Sequence, residues 1–460
     1  DLTTVAVDLT NVTSITSSSL TDLGILDTAI DNSEFSNATG LTTIAVSDTT
    51  IDATILAATI NSIDVINGLN TTLMTLASGA TINIDASEIA TILGHETGSI
   101  AGGSRLTISD QNIVVTGNIS VDEANLLSAT TEGTVTASIT TTESITELKT
   151  LTETTNAYTI VISSADATAN ADDLSTVAGK TTATLDASAV TAITGNYDEI
   201  VALYETEGVI GINDKPLSIS DTLTIEKANL IYGLTEGVVT ATIGNFRVSD
   251  LVTPFSLGGT PLLNAKGNNA YTIVISSEDA AVSASDLNAI NDLTTVAVDL
   301  TNVTSITSSS LTDLGILDTA IDNSEFSNAT GLTTIAVSDT TIDATILAAT
   351  INSIDVINGL NTTLMTLASG ATINIDASEI ATILGHETGS IAGGSRLTIS
   401  DQNIVVTGNI SVDEANLLSA TTEGTVTASI TTTESITELK TLTETTNAYT
   451  IVISSADATA

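Results

Sequence analysis

The sequence predicts a β/α solenoid, in which stacked coils form one long parallel sheet with short helices or turns opposite. Three observations lead there. Residues 1–169 recur without change as residues 292–460, so that Asp1-Leu2-Thr3 becomes Asp292-Leu293-Thr294 and His95 becomes His386, a period of 291 residues. Inside that period a shorter pattern repeats, in which a β-rich run is followed by a polar corner and a helix-like Ala/Leu/Ile stretch. Within the runs, apolar residues alternate with Thr, Ser and Ala, the period of a strand with one buried face.

Ten runs are readable in one period: Thr3–Asp8, Thr42–Asp48, Thr81–Asp85, Leu106–Asp110, Thr134–Thr140, Tyr158–Ser163, Thr181–Asp186, Leu217–Asp221, Val238–Ile243 and Tyr271–Ser276. The next, Thr294–Asp299, restarts the cycle. The step is 23 residues from Tyr158 to Thr181 and 39 from Thr3 to Thr42. Val135, Ala137 and Ile139 alternate with Thr134, Thr136, Ser138 and Thr140. Between runs, Ser120-Val-Asp-Glu123 reads as a capping box opening a helix. Gly133 is the expected left-handed residue that closes it. Thr224 to Gly237 has the same layout, and Ser285-Asp-Leu-Asn-Ala-Ile-Asn is a shorter version. Strand, crossover helix, strand implies parallel pairing. One coil cannot bury its own core, but stacked coils can. The alternatives are an all-β solenoid and tandem Ig-like sandwiches of about 97 residues, three per period. Residues 1–291 are thus one full long repeat of about ten coils and 292–460 a partial second copy, continuous and without a linker. The pattern has no altered first or last unit, so the chain is expected to be an excerpt of a longer array.

Sixteen runs at ~4.8 Å would make a rod of roughly 80 Å. The chain carries 55 Asp and Glu against 9 Lys and Arg, a net charge of −46. That is roughly one charge per 1.7 Å of rod, near the density of duplex DNA, so counter-ions must gather and divalent ones most of all. Nucleic acid is excluded as a partner for want of clustered cations. There is no Cys, which removes disulfides and thiolate metal sites. No apolar run is long enough to span a membrane as a helix, and no signal peptide is visible at Asp1.

Leu41-Thr-Thr-Ile44-Ala-Val46 and Leu293-Thr-Thr-Val296-Ala-Val298-Asp-Leu-Thr301, with Val12-Thr13-Ser14-Ile15, look like degenerate bacterial leucine-rich repeat cores. Tyr158-Thr-Ile-Val-Ile-Ser and Gly237-Val-Val-Thr-Ala-Thr-Ile resemble phrases of giant acidic tandem-repeat surface proteins of cyanobacteria and other marine bacteria. That resemblance implies a structural role outside the cell or on its surface and carries no catalytic residue.

No phosphate-binding, dinucleotide, zincin or nucleophile-elbow motif is present. His95 is the one His per period and lacks metal-ligand partners in the sequence, so a structural histidine is expected. Asp recurs at run ends: Asp8, Asp48, Asp85, Asp110, Asp186, Asp221 and Asp299. Each reads as a turn residue capping the next segment of chain. Stacked at like corners of neighbouring coils, the same seven are the candidate sites for Ca²⁺ or another divalent cation. No cofactor is required. The outward Thr row, from Thr4 and Thr43 to Thr242 and Thr272, is the other candidate surface, for ice or a partner. The function expected is a non-enzymatic extracellular filament, sheath or adhesin stalk whose chains self-associate end to end or laterally. A binding module is the alternative from another class.

Overall fold

The computed structural model describes residues 4–67, 73–99, 103–244, 246–252, 261–263, 267–358, 364–390, 395–443 and 445–457. The chain separates into two compact units, residues 1–218 with 234–237, and residues 219–233 with 238–460. The period boundary between Asn291 and Asp292 falls inside the second unit.

Each unit is built from open parallel sheets alternating with helices. In the first, seven strands lie in the order Val209–Ile210, Leu185–Asp186, Ala157–Val161, Val135–Ile139, Asn112–Ile119, Thr81–Asp85 and Thr50–Asp52. A second sheet runs Ser14–Ser18, Thr43–Val46, Leu73–Thr75, Leu106–Thr107. The second unit holds a five-stranded sheet from Ala281–Val282 to Leu397–Thr398 and another from Thr341–Asp343 to Ala448–Thr450. Every strand pair with a described register is parallel, as in Thr81↔Asn112 through Asp85↔Thr116 and Val298↔Phe326.

Parallel pairing through helices rules out antiparallel Ig-like sandwiches, and helices such as Ala53–Asn67 rule out the all-β alternative. The expectation of a single sheet is corrected. Many turns of the chain supply two short strands, not one. Thr43–Val46 is followed at once by Thr50–Asp52, and the two join different sheets. The corner Ser47-Asp48-Thr49 turns the chain between them, so the run read at Thr42–Asp48 supplies the first strand and the second lies beyond it.

Helix starts follow the sequence closely. Ser120 Oγ accepts the Glu123 N–H at 3.2 Å, and Glu123 accepts the Ser120 N–H in return at 2.8 Å, opening the helix Val121–Thr130. Ser144 with Glu147 and Asn196 with Glu199 repeat the box. The short version is capped by Ser283, two residues before Ser285. Helix ends differ from expectation. The helix stops at Thr131 in extended backbone, and Gly133 has no positive φ. A Cβ on Gly133 would sit 2.3 Å from the Gln111 carbonyl oxygen, so this glycine admits the backbone at Gln111 and Asn112. Gly237 meets the Lys215 carbonyl at 2.4 Å and Gly424 meets Gln402 at 2.3 Å in the same way.

The core is aliphatic and lies between strand faces and helices. Alternation is strict in Val135–Ile139, where Val135, Ala137 and Ile139 are buried, and Thr136 is exposed. Ile160 and Ile162 are both buried, with Ile160 fully so. Ile160→Ala is expected to cost about 2–5 kcal/mol, read as a lowered urea midpoint. A loss under about 0.5 kcal/mol, the size of an ordinary surface change, would contradict the packing.

Candidate functional site: corner carboxylates and buried polar ladders

Several acidic residues cap helices that lie earlier in the chain. The first N–H of a helix has no partner within its own helix and sits at the positive end of the helix dipole. In four helices of the first 291 residues it receives a carboxylate from 21 to 31 residues further along the chain. Leu20 donates to Asp48 at 2.6 Å, Val121 to Glu143 at 3.2 Å, Ile145 to Asp166 at 3.1 Å and Val248 to Asp279 at 3.0 Å. The second copy repeats this with Leu311 to Asp339 at 2.7 Å and Val412 to Glu434 at 3.4 Å.

Six of the seven Asp singled out in sequence lie at or just beyond strand ends. Asp8 accepts from the Thr10 N–H, the Thr10 hydroxyl and the Asn37 amide. Asp299 makes the same contacts with Thr301 and Asn328. Asp85 caps the turn Ala86–Glu88 through Ser87. Asp110 takes the Ser78 hydroxyl and the Gln111 amide, and Asp186 takes the Ser188 N–H at 2.8 Å. Asp48 caps the neighbouring helix at Leu20. Asp221 departs from expectation, lying inside the strand Leu217–Leu223.

These bonds favour the ionised form. Hydrogen bonds from Thr10 chiefly, Ser87 and Ser78 hold Asp8, Asp85 and Asp110 below the usual carboxylate value. Ser188 does so for Asp186. For Asp299, partial burial pushes upward and is outweighed by the Thr301 and Asn328 bonds.

The Asp residues do not stack on one another where register is described. Asp8 lies beside Ser36, Asp85 beside Thr116, Asp186 beside Val161 and Ile210, and Asp299 beside Ser327. Among the described residues, no three His, Asp or Glu side chains are grouped to hold a metal ion.

Two buried polar ladders were not singled out from the sequence. Asn156 is buried, accepts the Val135 N–H at 2.7 Å and donates to the Ser128 hydroxyl and Tyr158 OH at 2.8 and 3.0 Å. Asn269 and Tyr271 repeat this with Val239, and Asn447 and Tyr449 with Val426. The second ladder is threonine. Thr131 Oγ1 donates to the Gln111 carbonyl at 2.6 Å and accepts the Gly133 N–H at 2.9 Å. Thr235 serves Lys215 and Gly237 likewise, and Thr181 and Thr294 clasp Tyr158 and Tyr271 at 2.7 Å. The signal was available as the recurring triplets Asn-Ala-Tyr for the first ladder and Thr-Glu-Gly for Thr131 and Thr235 in the second, whereas Thr181 and Thr294 stand in Thr-Thr pairs.

His95 lies in the last turn of the helix Ile89–Thr97, fully buried, and neither ring nitrogen meets a hydrogen-bond partner among the described residues. His386 repeats it. Burial alone drives both below the ordinary value of 6.5, so both rings are neutral in the fold. The unfolded chain takes up a proton near pH 6.5 and the folded chain only lower, so stability falls as pH drops below 6.5 towards the folded value. The urea midpoint of the native chain should fall between pH 7.5 and 5.5, and His95→Leu with His386→Leu should flatten that slope. Parallel slopes in the two proteins would refute the assignment.

Among the described residues, Lys149 pairs with Asp173, Lys215 with Asp214 at 3.3 Å, and Arg247 with Glu278 and Asp279. No described helix is long and apolar enough to cross a membrane. Compared with models of known protein families and with curated proteins, the sequence matches none.

Proposed function

We propose that this chain is a structural segment of an acidic β/α solenoid array, acting outside the cell as a filament, sheath or adhesin stalk. One observation carries the reading: the recurring side chains bind the next coil. Carboxylates reach neighbouring helix starts, and Asn-Ala-Tyr and Thr-Glu-Gly clasps fasten strand to strand. Such coil-to-coil fastening is what an array needs, since each coil of a solenoid is stabilised by its neighbours. The identical copies favour repetition of one mechanical element over recognition, which benefits from variation.

The charge has a second role in this reading. With carboxylates in large excess, neighbouring arrays repel each other in monovalent salt, and Ca²⁺ or another divalent cation bridges them laterally. No ordered metal site is required for that.

The test is labelling of intact source cells with an antibody against residues 170–268, which occur once in the chain. Surface label on extended structures is the expected result. Label that appears only after permeabilisation would overturn the reading.

A further inference from the structure

We infer that the cleft lined by Phe246, Val274 and Arg247 is a carbohydrate site that takes a neutral hexopyranose. The site does not depend on the array reading. All its residues belong to the second unit, and Phe246 and Arg247 lie in sequence that occurs once in the chain.

Three strands that neighbour one another in a sheet end at this cleft. Leu217–Leu223 carries Thr222, Val239–Ile243 carries Thr242, and Val274 follows directly on Ala270–Ile273. The connection from Ile243 into the helix Val248–Val252 adds Gly244, Phe246 and Arg247 to the lining. A Cβ on Gly244 would meet the Thr222 methyl at 2.5 Å, so glycine keeps that side open. The cleft volume is about 520 Å³, within the ~300–1,000 Å³ of ordinary ligand clefts.

Two kinds of surface meet there. Phe246 is half-buried and Val274 is 43% exposed, and together they form an apolar patch. Beside it, the exposed Thr222 and Thr242 hydroxyls have no hydrogen-bond partner among the described residues. Asp250 and Glu278 supply carboxylate acceptors, and Arg247 supplies donors while paired with Glu278 and, at 3.8 Å, with Asp279. A pyranose has matching surfaces, a face of C–H groups for the aromatic ring and a rim of hydroxyls that both donate and accept. Charge selects the neutral sugar. One guanidinium faces the three carboxylates of Asp250, Glu278 and Asp279, so an acidic sugar or a phosphate is repelled.

A sibling coil shows that the fold does not demand these side chains. There the strand Val135–Ile139 leads into the helix Ile145–Leu148, whose first N–H donates to Asp166 as that of Val248 donates to Asp279. The Ser144 N–H donates to Glu147 as the Arg247 N–H donates to Asp250. Yet the sibling connection reads Thr140-Thr-Thr-Glu-Ser144, and this one Gly244-Asn-Phe-Arg247. The same turn is made without an aromatic ring or a cation, so Phe246 and Arg247 are additions to it.

Saturation-transfer NMR of the 460-residue chain with methyl β-glucoside, methyl β-galactoside and methyl α-mannoside tests this. At least one glycoside should receive saturation, strongest on the axial C–H protons of one ring face. Phe246→Ala should weaken that binding at least about tenfold, the loss of one stacked ring. Thr222→Val with Thr242→Val should weaken it several-fold. Both threonines are exposed, so this double variant empties no packed position, and unchanged circular dichroism will establish that each variant folds. Methyl β-glucuronide, the acidic counterpart, should receive no saturation. Absence of transfer to all three neutral glycosides overturns the inference. So does binding that both variants leave unchanged, or a glucuronide that binds as tightly as the neutral sugars. None of these outcomes bears on surface labelling of source cells, so the two readings fail separately.

Discussion

Gly237→Ala is expected to lower stability by about 3 kcal/mol or more, beyond the usual cost of an added methyl group in a core. The new Cβ would stand 2.4 Å from both the Lys215 carbonyl carbon and its oxygen, and 2.6 Å from the Pro216 nitrogen. Those are backbone atoms, so no side chain can rotate away. Relief requires the strand beginning at Leu217 to move from its place, which strains the clasp from Thr235 to the Lys215 carbonyl. Hydrogen exchange reads this locally, because residues 205–245 occur once in the chain and give unambiguous peptides. Protection should fall across residues 209–243 in the variant. Full protection there, with an unchanged urea midpoint, would mean that the close approach is not as described. Gly233→Ala is the control, since a Cβ at that glycine meets nothing within 4 Å.

Tyr271→Ala should be of similar size, about 3–5 kcal/mol, the usual cost of emptying a buried aromatic site. Tyr271 is fully buried, and that burial pushes its hydroxyl far above the ordinary value of 10.0, so it stays protonated and can donate. Two effects are combined in the alanine variant, lost packing and a lost partner for the Asn269 amide at 3.1 Å. Tyr271→Phe separates them. It keeps the ring and removes the hydroxyl alone, which should cost about 1 kcal/mol. Equal losses for the two variants, by urea midpoint, would place the energy in the hydrogen bond and contradict the packing account.

Much of the fold is legible in the sequence because it is local. The alternation in Thr134–Thr140 marks the buried face of its strand, and Ser120 with Glu123 marks a helix start, since both signals lie within a few residues. All ten runs contain a strand. What the sequence hides is contact between coils. Nothing near Asp48 reveals that its carboxylate caps Leu20, which lies in the preceding coil. Gly133 reads as a helix terminator by its position and serves instead as a gap for the Gln111 backbone. The extra strands, such as Thr50–Asp52 and Ala192–Gly195, are short and come directly after turn residues, so their pairing depends on partners supplied by another coil.

The candidate site divides in the same way. The strand-end Asp residues are visible because turn chemistry favours them there. Whether they face one another depends on strand register, and in the described registers their neighbours are Ser, Thr, Val and Ile. His95 was expected to be structural, and its burial agrees. Its missing hydrogen bonds, and hence its sensitivity to pH, needed the surrounding helix and strands to be placed.

In the proposed solenoid, successive coils of this sequence stack at strand spacing along one direction. Electron micrographs of the native material test it through their axial power spectrum. About ten coils in each 291-residue period, at ~4.8 Å per coil, predict a repeat near 50 Å together with a reflection at the strand spacing itself. Both should appear on the long axis of the same structures. Particles that lack the 4.8 Å reflection along their axis, or that repeat at the width of a globular bead, would contradict the stacking.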